Sequence, residues 1–326
     1  MLTRRHAATL LAAGGLAPFA ARAQAYPSST ITIECPLAPG TGGDALTRLY
    51  AEDLQTALGK PVLVKNAPGV ALMLASIDVA RAAPDGLTLL MTVTSTLCIN
   101  PALYKTMPYD ARTSFVPIAI YVKSPFTLVV GSGSPIKSGK DFIEAARARP
   151  GQMTFSSTGI GSMQHLAMEM LMAKYGVKLN HVPYRATAQQ ITDIASGNVD
   201  GGFVEAAAPQ GLIRDGKLRP LAASSATRFA MYPDVPTIAE AFDEPGLEAV
   251  SWHTLMAPAA TPRAIVDRLH AEMVKYTGST DFRDKATTLG LLPIDVRSVD
   301  ESLAYIDSER VRWTALIEKI GLAGSQ

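Results

Sequence analysis

The stretch Thr154–His165 carries the residues best suited to bind a small anion. It joins hydroxyl side chains and two glycines to a helix-favouring run over 166–172. This pattern is typical of a strand, a tight turn and a helix start, where backbone N–H groups lack helical partners and the helix dipole attracts negative charge. A carboxylate is the simplest anion to fit there. The alternative is structural: Ser157, Thr158 or Ser162 caps the helix while the glycines form the turn.

A second glycine-rich loop covers Leu37–Asp44. It follows a β-branched, strand-like segment over 31–36 and precedes a helical pattern over 45–58. No Lys-Ser or Lys-Thr pair follows the glycines, and their spacing differs from a dinucleotide fingerprint, so neither nucleotide motif is predicted. We expect the loop backbone to approach a ligand closely, with Asp44 capping the helix. A purely structural loop is the alternative.

Polar residues also follow two predicted strands at their carboxyl ends. Thr94 and Ser95 follow the apolar run 87–93, and Glu205 ends the segment 199–205. Ligands of open α/β sheets bind just outside such strand ends, so all three residues join the candidate site. Alternatively, the hydroxyls only satisfy backbone groups and Glu205 caps the next helix.

The sequence carries no pattern for catalysis or metal binding. Beyond the N-terminal region the histidines are His165, His181, His253 and His270, and they lack the spacing of metal ligands. No nucleophile elbow occurs, and only a pairing of His165 with a serine of the 156–162 turn would offer a hydrolase. We therefore predict no catalytic residues, no metal and no cofactor.

Composition is typical of a globular chain with a large core. The 326 residues are 48% hydrophobic and 18% charged, with a net charge of +1. The length predicts two domains, and the balanced charge gives no reason to expect a nucleic-acid partner. We expect Cys35 and Cys98 to be small buried thiols, with a disulfide as the alternative in an oxidising compartment.

The N-terminus has the pattern of a secretory signal peptide. An arginine pair precedes an apolar run over 7–21, and small-residue cleavage patterns end at Ala23 and Ala25. We assign residues 1–25 to a signal peptide and expect export to the periplasm, by the Sec or the twin-arginine route. No later apolar run reaches about 18 residues, so no membrane-spanning segment is predicted.

Alternating strands and helices predict an α/β fold whose chain crosses twice between domains. The first crossing is expected at the Lys-Ser-Pro break over 123–125, and the second at the apolar strand that begins with Ser251. The predicted first domain is therefore discontinuous and combines 26–123 with 251–326. The second domain is predicted to cover 124–250.

Together these segments resemble the receptors of tripartite tricarboxylate transporters, also called Bug proteins. The resemblance covers essentially the whole chain after the signal peptide and is carried by ordered blocks rather than by one motif. The blocks lie within Tyr26-Pro27, Pro36–Asp44, Ala83–Leu90, Asn100–Tyr104, Met107–Asp110, Ser156–Ala167, His181–Tyr184, Gly216–Arg219, Pro233–Thr237 and Ser251-Trp252.

The resemblance implies a two-lobed periplasmic-binding-protein fold, a Venus flytrap of type II, with the ligand cleft between α/β lobes. Receptors of this kind typically bind small carboxylates, and transfer to membrane permease subunits is implied as well. The loop over 37–44 and the turn over 157–164 are then expected to face each other across the cleft. The residues expected to bind the ligand are Ala38, Pro39, Gly40, Gly42, Thr94, Ser95, Ser157, Thr158, Gly159, Gly161, Ser162, Gln164, His165, Tyr184 and Glu205.

Three positions depart from the family pattern. The apolar segment Val70–Leu74 replaces a glycine-rich continuation of the preceding Asn-Ala-Pro-Gly turn. Glu205 replaces an aspartate that is common there, and His253 replaces an aromatic residue such as Phe. Leu72 and Met73 motivate the hypothesis that the ligand has more apolar surface than a short dicarboxylate.

We predict a monomeric, non-enzymatic receptor for a small organic carboxylate. One alternative is an exported serine hydrolase on a similar scaffold, which cleavage of chromogenic esters would reveal. The other is a receptor that signals to a membrane sensor without transport, which isolation of its membrane partner would reveal.

Overall fold

The structure is a computed structural model that describes residues 26–326, apart from the side chain of Val70. The predicted signal peptide, residues 1–25, lies outside the described residues. The first part of the described chain contains β1 (Ile31–Cys35), α1 (Gly42–Leu58), β2 (Val62–Asn66), α2 (Leu74–Ala80), β3 (Thr88–Val93), α3 (Asn100–Leu103) and β4 (Phe115–Ser124).

The chain then enters a second group of strands and helices. These are β5 (Phe126–Gly131), α4 (Gly139–Ala148), β6 (Thr154–Ser157), α5 (Met163–Tyr175), β7 (Asn180–Pro183), α6 (Thr187–Ser196), β8 (Gly201–Glu205), α7 (Gln210–Arg214), β9 (Leu218–Ala223) and α8 (Ile238–Phe242). The last part contains β10 (Ser251–Pro258), α9 (Arg263–Thr277), α10 (Thr280–Thr288), β11 (Leu292–Pro293) and α11 (Val299–Lys319).

The strands form two separate sheets. The first has the order β11-β4-β10-β3-β1-β2, in which β1, β2 and β3 are parallel and β10 is antiparallel to β3 and β4. The second has the order β7-β6-β8-β5-β9, in which β6 is parallel to β7 and β8. The final segment from residue 251 therefore returns to the first sheet, and the segment 126–223 supplies the second.

Helices cover both faces of the first sheet, which explains the apolar run in β3. Leu89 and Met91 belong to one hydrophobic cluster, and Leu90 belongs to the cluster on the opposite side. Successive strand residues point to opposite faces, so a strand buried on both faces must be apolar throughout. One cluster includes side chains of α1 and α9, and the other includes those of α2 and α11.

Two hydroxyl groups hold the backbone where the chain passes between the sheets. The crossings lie at Pro125, between β4 and β5, and just before β10. The Thr94 hydroxyl accepts a hydrogen bond from the Trp252 backbone N–H at 2.9 Å, and both residues are fully buried. The Ser224 hydroxyl accepts from the Phe126 N–H at 2.8 Å.

An ion pair joins the two crossings. Lys123 Nζ lies 2.8 Å from a carboxylate oxygen of Glu248, and both side chains are largely buried. Lys123 belongs to the first crossing and Glu248 precedes the second, so the pair holds the two connecting segments together.

Several local expectations are confirmed and others are wrong. Helix α2 begins only at Leu74, because Ala71 and Leu72 have φ values of 50° and 68° and cannot belong to a right-handed helix. Thr41 caps α1, so the prediction that Asp44 is the cap is wrong. Cys35 and Cys98 are buried free thiols, as expected. Within residues 26–326, no helix is long and apolar enough to cross a membrane.

Replacing Thr94 tests its role at the second crossing. Thr94→Val keeps the shape but leaves the Trp252 N–H buried without a partner, so we expect unfolding free energy to fall by about 1–3 kcal/mol. Thr94→Ser keeps the acceptor and loses one methyl group, at a cost of about 1 kcal/mol. Urea denaturation measures both variants, and a Val variant as stable as the parent would contradict this role.

Candidate functional site

A cavity of about 830 Å³ lies between the two sheets at the ends of several parallel strands. The first sheet and its loops contribute Leu37, Thr41, Gly42, Gly43, Gly69, Ala71, Leu72, Val93, Ser95, Asn100, Leu103, Tyr104, Ser124, Ser251, His253, Leu289, Gly290 and Leu291. The second contributes Phe126, Thr158, Ile160, Gly161, Ser162, Met163, Gln164, Arg185, Glu205, Ala206, Ala207 and Ala208.

The start of α5 opens on this cavity with two unpaired backbone donors. Ser162 is the helix cap, and its hydroxyl accepts from the N–H of His165 at 3.2 Å. The His165 Nδ1 in turn accepts from the N–H of Gly161, which has a φ of 77°. The N–H groups of Met163 and Gln164, the first two helical residues, have no hydrogen-bond partner among residues 26–326.

The start of α1 repeats this arrangement from the other side of the cavity. The Thr41 hydroxyl accepts from the N–H of Asp44, and the Asp44 carboxylate accepts from the N–H of Gly40 at 2.9 Å. Gly40 has a φ of 83°, close to that of the glycine before the α5 cap. The N–H groups of Gly42 and Gly43 have no partner among the described residues.

At each helix start, the N–H groups of the third helical residue and of the glycine before the cap are therefore bonded within the chain. The N–H groups of the first two helical residues are open. In both, the cap hydroxyl bonds the third helical N–H, and the third side chain bonds back to the glycine before the cap. The two starts differ in charge because the third residue is Asp44 in α1 and His165 in α5. Asp44 pairs with Arg48 at 3.0 Å and accepts from Asn66 at 2.7 Å. Burial alone would raise the pKa of Asp44, but these contacts together with the Gly40 N–H lower it.

Three aromatic rings support the α5 turn. His165 and His181 lie with ring centroids 4.3 Å apart, and Phe155 stacks on His181 at 4.9 Å. Burial, followed by the neighbouring His181, lowers the pKa of His165 to about 4, and burial also lowers the pKa of His181. Only a neutral His165 ring can accept the Gly161 N–H, so the pKa shift and the hydrogen bond agree.

A serine and a histidine are paired in this cluster, but not toward the cavity. Ser157 Oγ lies 2.7 Å from His181 Nε2 and also accepts the Gly159 N–H. Ser157 is fully buried and does not line the cavity. Among the described residues no carboxylate bonds His181, and the predicted partner His165 bonds no serine side chain through its ring. The pair thus holds the turn in shape.

Among residues 26–326, two charged side chains line the cavity, and both belong to the half of the molecule built on the second sheet. Glu205 ends β8, and its side chain is exposed to the cavity. Many protein atoms surround its carboxyl group, and this burial raises the pKa of the carboxyl. Arg185, which follows β7, is the one arginine or lysine among the lining residues and is exposed.

The rest of the lining combines apolar side chains with hydroxyl and amide groups. Leu72 lines the cavity from the segment with positive φ, whereas Met73 is buried in the core and does not reach it. Across the cavity, a Cβ atom built on Gly161 would lie 2.2 Å from Leu103 Cδ2, so the two halves touch there. Ala207 makes a similar approach to Gly290, where a Cβ atom would lie 2.6 Å from the alanine Cβ.

The cavity brings together about half of the residues expected from the sequence. The expected residues that line it are Gly42, Ser95, Thr158, Gly161, Ser162, Gln164 and Glu205. The expected residues that lie outside its lining are Ala38, Pro39, Gly40, Thr94, Ser157, Gly159, His165 and Tyr184. Most of these have internal partners instead: Thr94 bonds the Trp252 N–H, and the Tyr184 hydroxyl bonds Asp193 at 2.8 Å.

Several lining residues are not among the ligand-binding residues predicted from the sequence. Arg185 could have been found, because β7 is parallel to β6 and ends at the same edge of the sheet. His253 carried a weak signal as a departure from the family pattern. Ala206–Ala208 and Leu289–Leu291 carry none, since apolar residues that line a cavity look like core residues in a sequence.

Comparison with known proteins gives a family match over most of the chain. The model of a family described as the tripartite tricarboxylate transporter family receptor matches residues 46–322. The UPF0065 protein in the tcbD-tcbE intergenic region of Pseudomonas sp. (strain P51) is 34% identical over 308 residues, 94% of this chain and 91% of that protein. Protein BugT of Bordetella pertussis is 30% identical over 310 residues, 95% of this chain and 94% of BugT.

Solved structures share the fold. R. palustris Rpa4515 with adipate has a TM-score of 0.80 and 31% identity, covering 91% of this chain and 99% of that chain. MatC (Rpa3494) from Rhodopseudomonas palustris with bound malate has a TM-score of 0.75 and 27% identity, covering 90% of this chain and 100% of that chain. These likenesses confirm the predicted two-lobed fold.

Acid should destabilise the protein through its buried neutral histidines. The pKa values of His165 and His253 are about 4, below the ordinary 6.5, so between these values the unfolded chain binds more protons than the folded one. Unfolding free energy should therefore fall as pH drops, by on the order of 2 kcal/mol per histidine at about pH 5.

Urea denaturation at about pH 7.5 and about pH 5 checks this expectation, with His165→Gln as the matched variant. The variant should lose less stability than the parent on acidification, because it lacks one of the titrating groups. Equal losses in the two proteins would show that His165 is not held neutral by the fold.

Proposed function

Because the chain belongs to the tripartite tricarboxylate transporter receptor family, we propose that it captures a small organic carboxylate in the periplasm for uptake through such a transporter. The family and the fold are those of solute-binding receptors, which are not enzymes. The observation that carries the proposal is the meeting of two helix starts, each with two open N–H groups, at one cavity.

The carboxylate is held mainly at the start of α5. The N–H groups of Met163 and Gln164 donate to it, assisted by the helix dipole. This start attracts an anion more strongly than the start of α1, because its third residue is the neutral His165 and not the carboxylate of Asp44. Ser162, Thr158 and the Gln164 side chain surround these two N–H groups. We call the N–H groups of Met163, Gln164, Gly42 and Gly43 together the carboxylate seat.

The start of α1 completes the seat from the opposite lobe. One lobe comprises 26–123 and 251–326, and the other comprises 124–250. Gly42 and Gly43 donate from the first lobe to a ligand that already contacts the second, so the ligand stabilises the closed arrangement by these added contacts. The close approach of Gly161 to Leu103 fits such a closed arrangement.

The ligand carries apolar surface beside its carboxylate. Leu72, Leu103, Ile160 and Leu289 line the cavity and offer no hydrogen bonds to a second polar group. Related proteins have been solved with adipate and with malate, two acids that differ in the length of their apolar chain. The lining of this cavity favours the longer apolar chain over the short hydroxy acid.

The N-terminal pattern and the family support the periplasm as the site of action. Residues 1–25 form a signal peptide that is removed on export to the periplasm. The mature chain acts as a monomer and passes its ligand to the membrane subunits of a tripartite tricarboxylate-type transporter. Isolation of these subunits with the tagged, ligand-loaded receptor would test this transfer, and recovery of a sensor kinase in their place would overturn it.

Proline substitution at the start of α1 tests the seat directly. Gly42 is the first helical residue, a position that accepts proline, and Thr41 has the extended ψ of 157° that a following proline requires. Gly42→Pro removes one open N–H. Loss of one charge-assisted hydrogen bond should weaken carboxylate binding by about 10- to 100-fold.

Gly42→Ala is the matched control, since it adds a Cβ atom near the Leu289 carbonyl but keeps the N–H. Calorimetry uses adipate, malate, pimelate and benzoate, with adipamide as the uncharged comparison. The parent should bind at least one acid and not the amide, and the alanine variant should bind it nearly as well. Equal affinity of the proline and alanine variants, or no binding of any acid by the parent, would contradict the proposal.

A further inference from the structure

His253 is a buried polar side chain at the cavity whose ring makes no hydrogen bond within residues 26–326. It is 5% exposed, lies in the middle of a sheet on β10 and lines the cavity. Its Nδ1 is sealed from solvent and makes no hydrogen bond within residues 26–326. The opposite ring nitrogen, Nε2, makes none there either and is not sealed. A buried polar ring without a hydrogen-bond partner lowers the stability of the fold, so we expect a ligand to supply the missing partner.

The ring lies against the first turn of α1. A Cβ atom built on Gly43 would lie 2.8 Å from His253 Cε1 and 3.4 Å from Nδ1. Only glycine at this position leaves room for the imidazole. The ring therefore sits beside Gly43, whose N–H group is open, and both residues line the cavity together with Gly42.

The surroundings of the ring also determine its charge and which of its two nitrogens carries the proton. Burial lowers the pKa of His253 to about 4, so the imidazole is neutral at pH 7 and carries one proton. A buried N–H without an acceptor is rarer than a buried acceptor without a donor. The proton is therefore placed on Nε2, the nitrogen that is open, and the sealed Nδ1 remains an unprotonated acceptor.

We propose that His253 is a specificity-determining residue that donates its Nε2–H to an oxygen of the bound acid, beside the N–H groups of Gly42 and Gly43. This inference rests on the proposed function. A donor at this position favours an acid with an acceptor oxygen at the α1 end of the cavity, such as a carboxylate. It disfavours a ligand that presents an ammonium group there.

Two substitutions test the donor. His253→Phe keeps an aromatic ring beside Tyr121 and Gly43 but removes the N–H, and His253→Gln places an amide donor near the position of Nε2. With the tightest-binding acid among adipate, malate, pimelate and benzoate, calorimetry should show about 10- to 100-fold weaker binding for the Phe variant. The Gln variant should recover much of this loss.

Nitrogen NMR of the histidine side chains of the unsubstituted protein supplies a measurement that does not depend on the folding of a variant. We expect His253 to be protonated on Nε2 alone, and the Nε2 resonance to shift on addition of the same acid. Protonation on Nδ1, an unmoved Nε2 resonance, or equal affinity of the Phe variant and the parent would overturn the inference. If the parent binds none of the four acids, the proposed function itself fails and the inference with it.

Discussion

The site depends on backbone N–H groups that two helices cannot satisfy by themselves. Every α-helix begins with donors that lack helical acceptors. In α1 and α5 the cap hydroxyl bonds the third helical N–H, and the third side chain bonds the N–H of the glycine before the cap. The two that remain in each helix open on the same cavity from opposite lobes. Unpaired donors that line one cavity from two lobes favour an anion that bridges them, and they fit the proposed carboxylate although Arg185 is the one arginine or lysine lining the cavity among residues 26–326.

The hydrogen bonds and close contacts around the open N–H groups restrict which residue types can occupy the neighbouring positions. Gly40 and Gly161 adopt left-handed φ values so that their N–H groups can turn back to Asp44 and His165. Gly43 leaves space for the His253 ring. The histidine cluster under the α5 turn must stay neutral to accept a hydrogen bond, and burial lowers the pKa of His165 enough to ensure this at pH 7. The contacts of Asp44, His165 and His253 with nearby glycines thus determine the backbone conformation and the charge beside the open N–H groups.

Sequence reasoning located the two helix starts but not how their groups are used. The strand, glycine turn and helix at Ser162 follow from local preferences, so that part of the cavity was predictable. Thr94 was expected to meet a ligand because it ends a buried strand, yet its hydroxyl bonds the N–H of Trp252, which is distant in sequence. Such a partner is set by the pairing of β3 with β10 and cannot be found from local pattern. Leu289 was missed for the same reason, because it resembles a core residue until the lobes are placed together, whereas Leu72 was expected near the ligand from its departure from the family pattern.

The central claim is that the N–H groups of both helix starts bind one ligand at once. Amide NMR of the isotope-labelled protein during titration with the tightest-binding acid of the calorimetric panel tests it most directly. The account predicts that the amide resonances of Gly42, Gly43, Met163 and Gln164 shift together, with one common midpoint equal to the calorimetric affinity. Shifts confined to one helix start, or two different midpoints, would contradict a seat shared between the lobes.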